Sequence, residues 1–270
     1  MIGKELIYDD SLSFLERLYV HLFGAPISGL RIRCRRILPK IKKGSKKILD
    51  AGCGTGTFTF EIAKNNPDCE VIGIDSMAKL VNKANNIAKM AGIKNCSFVE
   101  EDVLEMRYKD EFDMVLCIDN LEHIEDDDRA IKNIYNALKD KGIAIIHVPA
   151  YYRRWIFFGK KVNFDVEGHV RPGYKFDDLV KKIKKAKFHI QEIGYTYGFF
   201  ETISNNISYL ITGADRKNKY IYALAFPILN AIAYLGRNDR PKEGAGILAV
   251  LCKDENLTPL GQRGDFKTKS

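Results

Sequence analysis

The chain has 270 residues, of which 46% are hydrophobic and 29% are charged. This composition excludes a disordered, collagen-like or disulfide-framework protein and fits one large domain, or one domain with a substantial insertion. The formal net charge of +8 favours an anionic partner such as nucleic acid, a phosphorylated metabolite or a lipid headgroup, without choosing among them. The six cysteines form no C-x-x-C pair, so the sequence indicates neither a zinc site nor a disulfide pattern and favours the reducing cytosol.

Residues 1–44 predict an N-terminal helical cap. Apolar residues from Leu12 to Leu22 recur at helical spacing, Gly24 and Pro26 break the pattern, and a second helix runs to Pro39. The segment lacks a basic stretch before an apolar run, so it does not resemble a signal peptide. Nine cationic and no acidic side chains lie between residues 31 and 47, which makes this stretch a candidate basic surface.

Residues 45–270 predict a second region in which strands alternate with helices. Strands are expected at 47–51, 70–75, 96–102, 112–119 and 142–149, with helices at 77–91 and 126–139 between them. Such alternation implies right-handed βαβ crossovers and a parallel sheet. The sequence therefore predicts a doubly wound α/β core.

The last two predicted strands, 188–198 and 246–254, enclose residues 199–245, which is far longer than a hairpin connection. This segment carries two apolar helical stretches and predicts a helical insertion. Its most apolar part, residues 220–235, is too short to cross a bilayer but long enough to lie on one.

A glycine loop follows the first strand of the core and opens a helix. Asp50, Gly52, Gly54 and Gly56 form the pattern D-x-G-x-G-x-G, whose spacing differs from the dinucleotide fingerprint G-x-G-x-x-G. This pattern resembles motif I of class I S-adenosylmethionine-dependent methyltransferases, and the resemblance covers roughly residues 46–150. The run CIDNLEHI at the end of the fourth strand is similar to small-molecule members related to ubiquinone and menaquinone biosynthesis.

The resemblance implies a Rossmann-like seven-stranded sheet and S-adenosylmethionine as cofactor, with S-adenosylhomocysteine as product. Methyl transfer from a sulfonium depends on positioning and desolvation, so no metal is expected. Asp75 ends the second strand, where a nucleotide fold places a ribose-binding carboxylate, although an Asp there also suits a helix N-cap. The resemblance assigns Asp102 and Val103 to the adenine, and Asp119 and Leu121 to the methionine part. The cofactor-binding residues expected are Asp50, Gly52, Gly54, Gly56, Asp75, Ser76, Met77, Asp102, Val103, Asp119 and Leu121.

Acceptor-side residues are expected in the segment after the fifth strand. His169 and Arg171, two residues apart, suit a general base and an anion clamp, although a loop-anchoring pair of hydrogen bonds explains them equally well. The predicted catalytic set is His169, Arg171, Tyr151 and Tyr152. Glu167 and His147 are further candidates, and His147 lies within an apolar strand, where a core position is common.

The sequence as a whole predicts a methyltransferase that acts on a small, apolar or lipid-like acceptor at oxygen or carbon. The absence of N-P-P-[YF] after the fourth strand disfavours amino-directed nucleic-acid and protein enzymes. An RNA methyltransferase using the basic N-terminal face, a non-catalytic S-adenosylmethionine-binding protein and, more weakly, an NAD enzyme remain alternatives. The expected location is the cytoplasm, with possible contact to the membrane surface, and the oligomeric state stays open.

Overall fold

The computed structural model describes residues 1–156, 159–163, 168–213 and 218–254. Three short 3-10 turns, at Lys4–Tyr8, Leu38–Lys40 and Leu121–His123, accompany the helices and strands. In chain order these are α1 (Phe14–Phe23), α2 (Ser28–Ile37), β1 (Lys47–Ala51), α3 (Thr57–Asn65), β2 (Glu70–Asp75), α4 (Ala78–Ala91), β3 (Cys96–Glu100), β4 (Phe112–Ile118), α5 (Asp127–Ala137), β5 (Leu138–Pro149), β6 (Tyr152–Trp155), β7 (Gly159–Val162), α6 (Phe176–Lys185), β8 (His189–Thr196), α7 (Phe199–Thr212), α8 (Lys219–Leu235) and β9 (Gly246–Cys252).

Seven strands form one sheet in the order β3-β2-β1-β4-β5-β9-β8. Strands β1 to β5 pair in parallel, and β9 is antiparallel to both of its neighbours. The apolar runs of β4 and β9 are almost wholly buried, as expected of strands covered on both faces. The predicted doubly wound, Rossmann-like seven-stranded sheet is confirmed.

Helices cover both faces of this sheet. On one face Leu30 and Ile37 of α2, with Ile62 of α3, pack against β1 and β4. On the other face Ile131 of α5 and Leu179 of α6 join the larger core cluster. Because parallel strands end at the same edge, the loops after β1 to β4 meet above the sheet and position the site.

Helices α1, α2, α7 and α8 form one layer, here called the cap. The Tyr19 hydroxyl of α1 donates to the Ala223 carbonyl of α8 at 2.6 Å. Ser28 of α2 lies within hydrogen-bond distance of Tyr222 in α8 and of Ser208 in α7. The expected N-terminal helices and helical insertion are therefore present and packed together, while the domain boundary at residue 44 stays a prediction.

The arginines of α2 correct the expectation of a basic N-terminal surface. An acid-free helix has no local partner for its cations, and these side chains turn inward to find partners elsewhere. Lys42, Lys43 and Lys46 remain exposed. The arginine contacts are Arg31 to the Ala25 carbonyl, Arg33 to Asp119, Arg35 to Asn230, and Arg36 to Glu201.

Two further differences concern β structure. The antiparallel hairpin of β6 and β7 is absent from the sequence prediction, because YRRW and GKKV carry few of the apolar alternations that mark a strand. Strand β5 begins at Leu138, four residues before the predicted start. Among the described helices, none is long and apolar enough to cross a membrane.

Candidate cofactor and acceptor site

The glycine loop connects β1 to α3 and leaves open space above its backbone. Gly52 and Gly54 have φ angles of 82° and 55°, which L-residues other than glycine seldom adopt. A Cβ at Gly52 would lie 2.2 Å from Asn120, whereas one at Gly54 would meet no atom of the described residues within 4 Å. The loop therefore approaches the β4 end closely at Gly52, whereas Gly54 borders open space, here called the groove.

Asp75 and Asp102 stand beside this groove. The Asp75 carboxylate accepts the Gly54 N–H and the Met77 N–H, each at 2.9 Å, so the ends of β1 and β2 are fixed to each other. Asp102 is exposed and accepts the Leu104 N–H at 2.9 Å. Asp75 pairs with Glu100 across the sheet, so the structure brings these two predicted acids to adjacent strand ends.

The other predicted cofactor residues at the β1 to β3 edge differ in solvent exposure. Ser76 and Met77 are exposed next to Asp75, and Val103 is buried under Asp102. Asp50 is buried and accepts the Thr59 hydroxyl at 2.7 Å, which ties β1 to α3. Burial raises the pKa of Asp50 to about 6 even though it accepts this hydrogen bond. Direct contact of these residues with a cofactor stays a prediction.

Asp119 at the end of β4 is the centre of a partly buried polar network. The backbone of Asp119 has a φ of 49°. One carboxylate oxygen lies 2.5 Å from Arg33 Nη1, and the other lies 2.5 Å from His147 Nδ1. His147 Nε2 lies 3.0 Å from the Thr196 hydroxyl at the end of β8. Burial opposes ionisation of Asp119, but Arg33 and His147 outweigh it and lower the pKa of this carboxyl to about 2. Asp119 thus anchors α2 of the cap to the sheet.

Sequence reasoning missed this network. It treated Arg33 as part of a surface charge run and His147 as a core residue, and did not consider Thr196. The sequence of α2 could have indicated that Arg33 has a distant partner. This helix alternates apolar and cationic residues and has no acid within one turn of Arg33. A cation in such a helix needs a partner from another element once the helix is buried.

Glu122 and His169 meet next to Asp119. Glu122 is buried, and its Oε2 has no hydrogen-bond partner among the described residues. Burial, followed by repulsion from Asp119, raises the pKa of Glu122 well above its usual range. Burial and the edge-on ring of His123, 4.5 Å away between centroids, lower the pKa of His169. The two groups therefore favour a neutral acid and a neutral imidazole.

His123, Glu122 and His169 each offer one ligand atom, and these atoms lie within 4.8 Å of one another. A bound cation would hold Glu122 ionised, against the tendency that burial imposes. The expectation of a metal-free protein stays a prediction.

Arg171 makes several hydrogen bonds to the end of β4 and to the start of α5, while a role towards the acceptor stays a prediction. Its guanidinium donates to the Leu121 carbonyl at 3.0 Å, to Asp127 at 2.7 Å and to the Glu125 carbonyl at 2.9 Å. The Tyr174 hydroxyl also donates to Asp127, at 2.6 Å. Through these contacts Arg171 connects its loop to the end of β4 and to α5, which supports the loop-anchoring interpretation.

Leu121, which was predicted to contact the methionine part of the cofactor, has a fully buried side chain.

Tyr151 and Tyr152 line a separate cavity of about 220 Å³ and contact each other edge to face at 4.8 Å. Their cavity has an aromatic wall and a charged rim, and the structure does not bring them into contact with His169. Glu167 lies outside the described residues. Residues that also line this cavity include Tyr174, Phe176, Tyr195, Arg154, Lys160, Lys175, Asp177 and Glu243.

The comparison with protein families matches residues 42–155 to a family described as a methyltransferase domain. A ubiquinone biosynthesis O-methyltransferase of Rickettsia canadensis is 30% identical over 120 residues, which is 43% of this chain and 50% of that protein. A sterol 24-C-methyltransferase of Aspergillus fumigatus is 34% identical over 149 residues, or 54% of this chain and 37% of that protein. The matches span between a quarter and a half of the length of these and the other curated relatives.

Solved structures share the fold over more of the chain. An O-methyltransferase from a polyketide synthase of Brevibacillus brevis, crystallised with S-adenosyl-L-homocysteine, superposes with a TM-score of 0.56 at 17% identity and covers 96% of this chain and 82% of that one. A [4+2]-cyclase, SpnF, superposes equally well at 21% identity, with 84% and 80% covered, so this fold also hosts other reactions. Residues 42–155 therefore match a methyltransferase domain, and the seven-stranded sheet has the Rossmann-like order of a methyltransferase fold.

Proposed function

We propose that the protein transfers a methyl group from S-adenosylmethionine to a small, apolar or lipid-like acceptor. The observation that carries the proposal is the open space at Gly54, beside the carboxylate of Asp75, with the exposed Asp102 following the end of the neighbouring strand. These acceptors suit a ribose diol and an adenine amino group, and the glycine backbone suits close approach of the methionine part. When bound, the cofactor supplies an electrophilic methyl group on a sulfonium.

The residues of this chain then have three tasks. The glycine loop, Asp75 and Asp102 hold the cofactor in one orientation, which is the main requirement of an in-line displacement. Val103 closes the adenine side with an apolar surface. His169, whose neutral imidazole lies beside the β4 end, accepts the proton when the acceptor is a hydroxyl.

The acceptor class rests on two kinds of support. Tyr151 and Tyr152 line an aromatic cavity after β5, which suits a flat or apolar molecule. The relatives named above act, by their names, in ubiquinone biosynthesis and on a sterol, and one methylates oxygen and the other carbon. We therefore propose an apolar acceptor that reaches the enzyme from a membrane surface, with either atom as the methylated position.

The test begins with binding. Calorimetry is expected to show that the protein binds S-adenosylhomocysteine and not NAD. The protein is then incubated with methyl-deuterated S-adenosylmethionine and an extract of apolar metabolites. We expect a product 3 Da heavier than the one made with the unlabelled cofactor. Binding without any labelled product across apolar and polar extracts would instead support the non-catalytic alternative.

The RNA alternative loses its main structural support. Arg31 and Arg36 have partners within the cap and Arg33 pairs with Asp119 at the sheet, so of this basic stretch mainly Lys42, Lys43 and Lys46 remain exposed for RNA. Salt-dependent retention of RNA on a filter, comparable in strength to a known RNA-binding control, would restore it.

A further inference from the structure

Two helices of the cap expose an unusually apolar outer side, here called the α1–α8 face. On α8 the exposed residues recur at helical spacing, so they form one stripe, and α1 adds a second stripe. Single exposed apolar residues are common, but contiguous sets mark an interaction surface. The exposed fractions are Phe14 79%, Leu15 70%, Leu18 46%, Leu22 54%, Tyr220 73%, Ile221 58%, Leu224 81%, Ile228 66% and Leu235 61%.

The two stripes lie side by side. Lys219 pairs with Glu16 at 3.2 Å, and the Tyr19 hydroxyl donates to the Ala223 carbonyl. The inner side of α8 is buried separately through Phe226, Leu229 and Ala233. The packing of the cap therefore does not need the outward residues, and their apolar character calls for another explanation.

The charged residues around this face indicate which kind of partner it binds. Helix α8 contains no acidic residue and is flanked by Lys219 and Arg237, both exposed. The Lys219 ammonium lies 5.3 Å from the ring centroid of Tyr220, and the Arg237 guanidinium lies 4.0 Å from that of Tyr234. Amphipathic tyrosines with adjacent cations at both ends of an apolar helix are typical of helices that lie in a lipid interface.

A second copy of the chain fits this face less well. A two-fold contact between antiparallel α8 helices would place Lys219 of one copy near Arg237 of the other, and the acid beside them, Glu16, is already paired with Lys219. Like charges directly opposed across an interface are unfavourable, whereas an anionic lipid surface attracts the exposed Arg237 and can also approach the Lys219–Glu16 pair.

We infer that the α1–α8 face docks on an anionic lipid bilayer, with α8 lying in the plane of the surface over about 26 Å of its length. The cap also holds Arg33 against Asp119, so the docked element and the site are joined by a direct ion pair. The inference names the surface that delivers the apolar acceptor and rests on the proposed function for that role, although lipid binding itself needs no activity.

The experiment is flotation of the full chain with vesicles of phosphatidylcholine containing 30% phosphatidylglycerol, compared with pure phosphatidylcholine. Wild type is expected to float with the anionic vesicles, less so at high salt. Leu224→Glu is expected to lower the vesicle partition coefficient tenfold or more, because a carboxylate replaces the most exposed apolar side chain of the face. Met90→Glu, an equivalent change on α4 at a residue with 51% exposure, is the matched control and is expected to float like wild type.

Each variant is checked by its thermal midpoint and by its affinity for S-adenosylhomocysteine, which Leu224→Glu is expected to leave unchanged. Failure of wild type to float overturns the docking inference while leaving methyl transfer to be judged by the labelled product. Equal loss of flotation in Leu224→Glu and Met90→Glu also overturns it. The face belongs to a second copy of the chain instead if three results occur together. Wild type is a dimer by light scattering, Leu224→Glu is a monomer, and neither protein floats with vesicles.

Discussion

The β1 to β3 edge and the cap use their charged residues in opposite ways. At the edge, the hydrogen bonds that Asp75 and Asp102 accept within the described part of the chain come from backbone N–H groups, and Asp102 is exposed. In the cap, Arg36 and Glu201 form a doubly hydrogen-bonded pair that is almost fully buried. Charges with accessible faces are available to a ligand, whereas charges enclosed with a partner hold elements together, and only the surroundings of a residue distinguish the two.

The largest expected effect comes from breaking the buried pair in the cap. Arg36→Met leaves Glu201, which is fully buried, without its cation, and removal of one partner from such a pair costs about 3–5 kcal/mol of unfolding free energy. Urea unfolding followed by circular dichroism measures it.

The control for this prediction is the double variant Arg36→Met/Glu201→Gln. It removes the unpaired charge and is expected to recover a substantial part of the lost stability. A single Arg36→Met variant as stable as wild type would contradict the assignment of α2 cations to the interior.

The corresponding change at the β1 to β3 edge affects binding instead of folding. Asp75→Ala removes a carboxylate from the groove and is expected to weaken binding of S-adenosylhomocysteine by about 1.5–3 kcal/mol, or roughly tenfold to a hundredfold. Calorimetry measures the affinity, and the urea midpoint is expected to change far less than for Arg36→Met. Unchanged affinity would show that the groove at Gly54 is not the cofactor site.

Sequence reasoning succeeded where local rules decide the structure. The glycine loop, the acid at the end of β2 and the alternation of strands and helices follow from spacing along the chain, and the sheet confirmed them. It failed where partners are distant in sequence. Arg33 and Asp119 are 86 residues apart, and Arg36 and Glu201 are 165 apart, so no window of sequence contains both members of either pair.

Arg171 and His169 lie in the loop after β7 and were predicted to act together, but we expect their substitutions to have different effects. Arg171→Met removes hydrogen bonds to buried Asp127 and to the Leu121 carbonyl, and is expected to lower the unfolding free energy by about 1–3 kcal/mol. His169→Gln is expected to leave stability nearly unchanged and to reduce turnover on a hydroxyl acceptor. Parallel urea titrations and rate measurements separate the two, and full turnover of His169→Gln would remove it from the acceptor side.

The last expected effect is a pH dependence centred on Glu122, whose size depends on how far its pKa is raised. Its folded-state pKa is raised above the ordinary value of 4.5 by burial and by Asp119, so the folded protein binds more protons than the unfolded chain above pH 4.5. The stability contributed by the protonated Glu122 carboxyl is present below pH 4.5 and is lost as the pH rises, by about 1.4 kcal/mol for each pH unit up to the raised pKa. The lowered pKa of His169 gives the opposite slope below about pH 6.5, so wild type alone does not isolate the effect.

Glu122→Gln keeps the size of the side chain and removes its titration, so the difference in unfolding free energy between wild type and this variant isolates Glu122. We expect wild type to lose stability relative to Glu122→Gln between pH 5 and pH 8 in urea titrations containing EDTA. A difference that stays constant would mean that Glu122 is ionised in the folded protein. If the difference becomes constant only when EDTA is replaced by a divalent cation, the neighbouring His123 and His169 hold that cation with Glu122 and the expectation of a metal-free site is wrong.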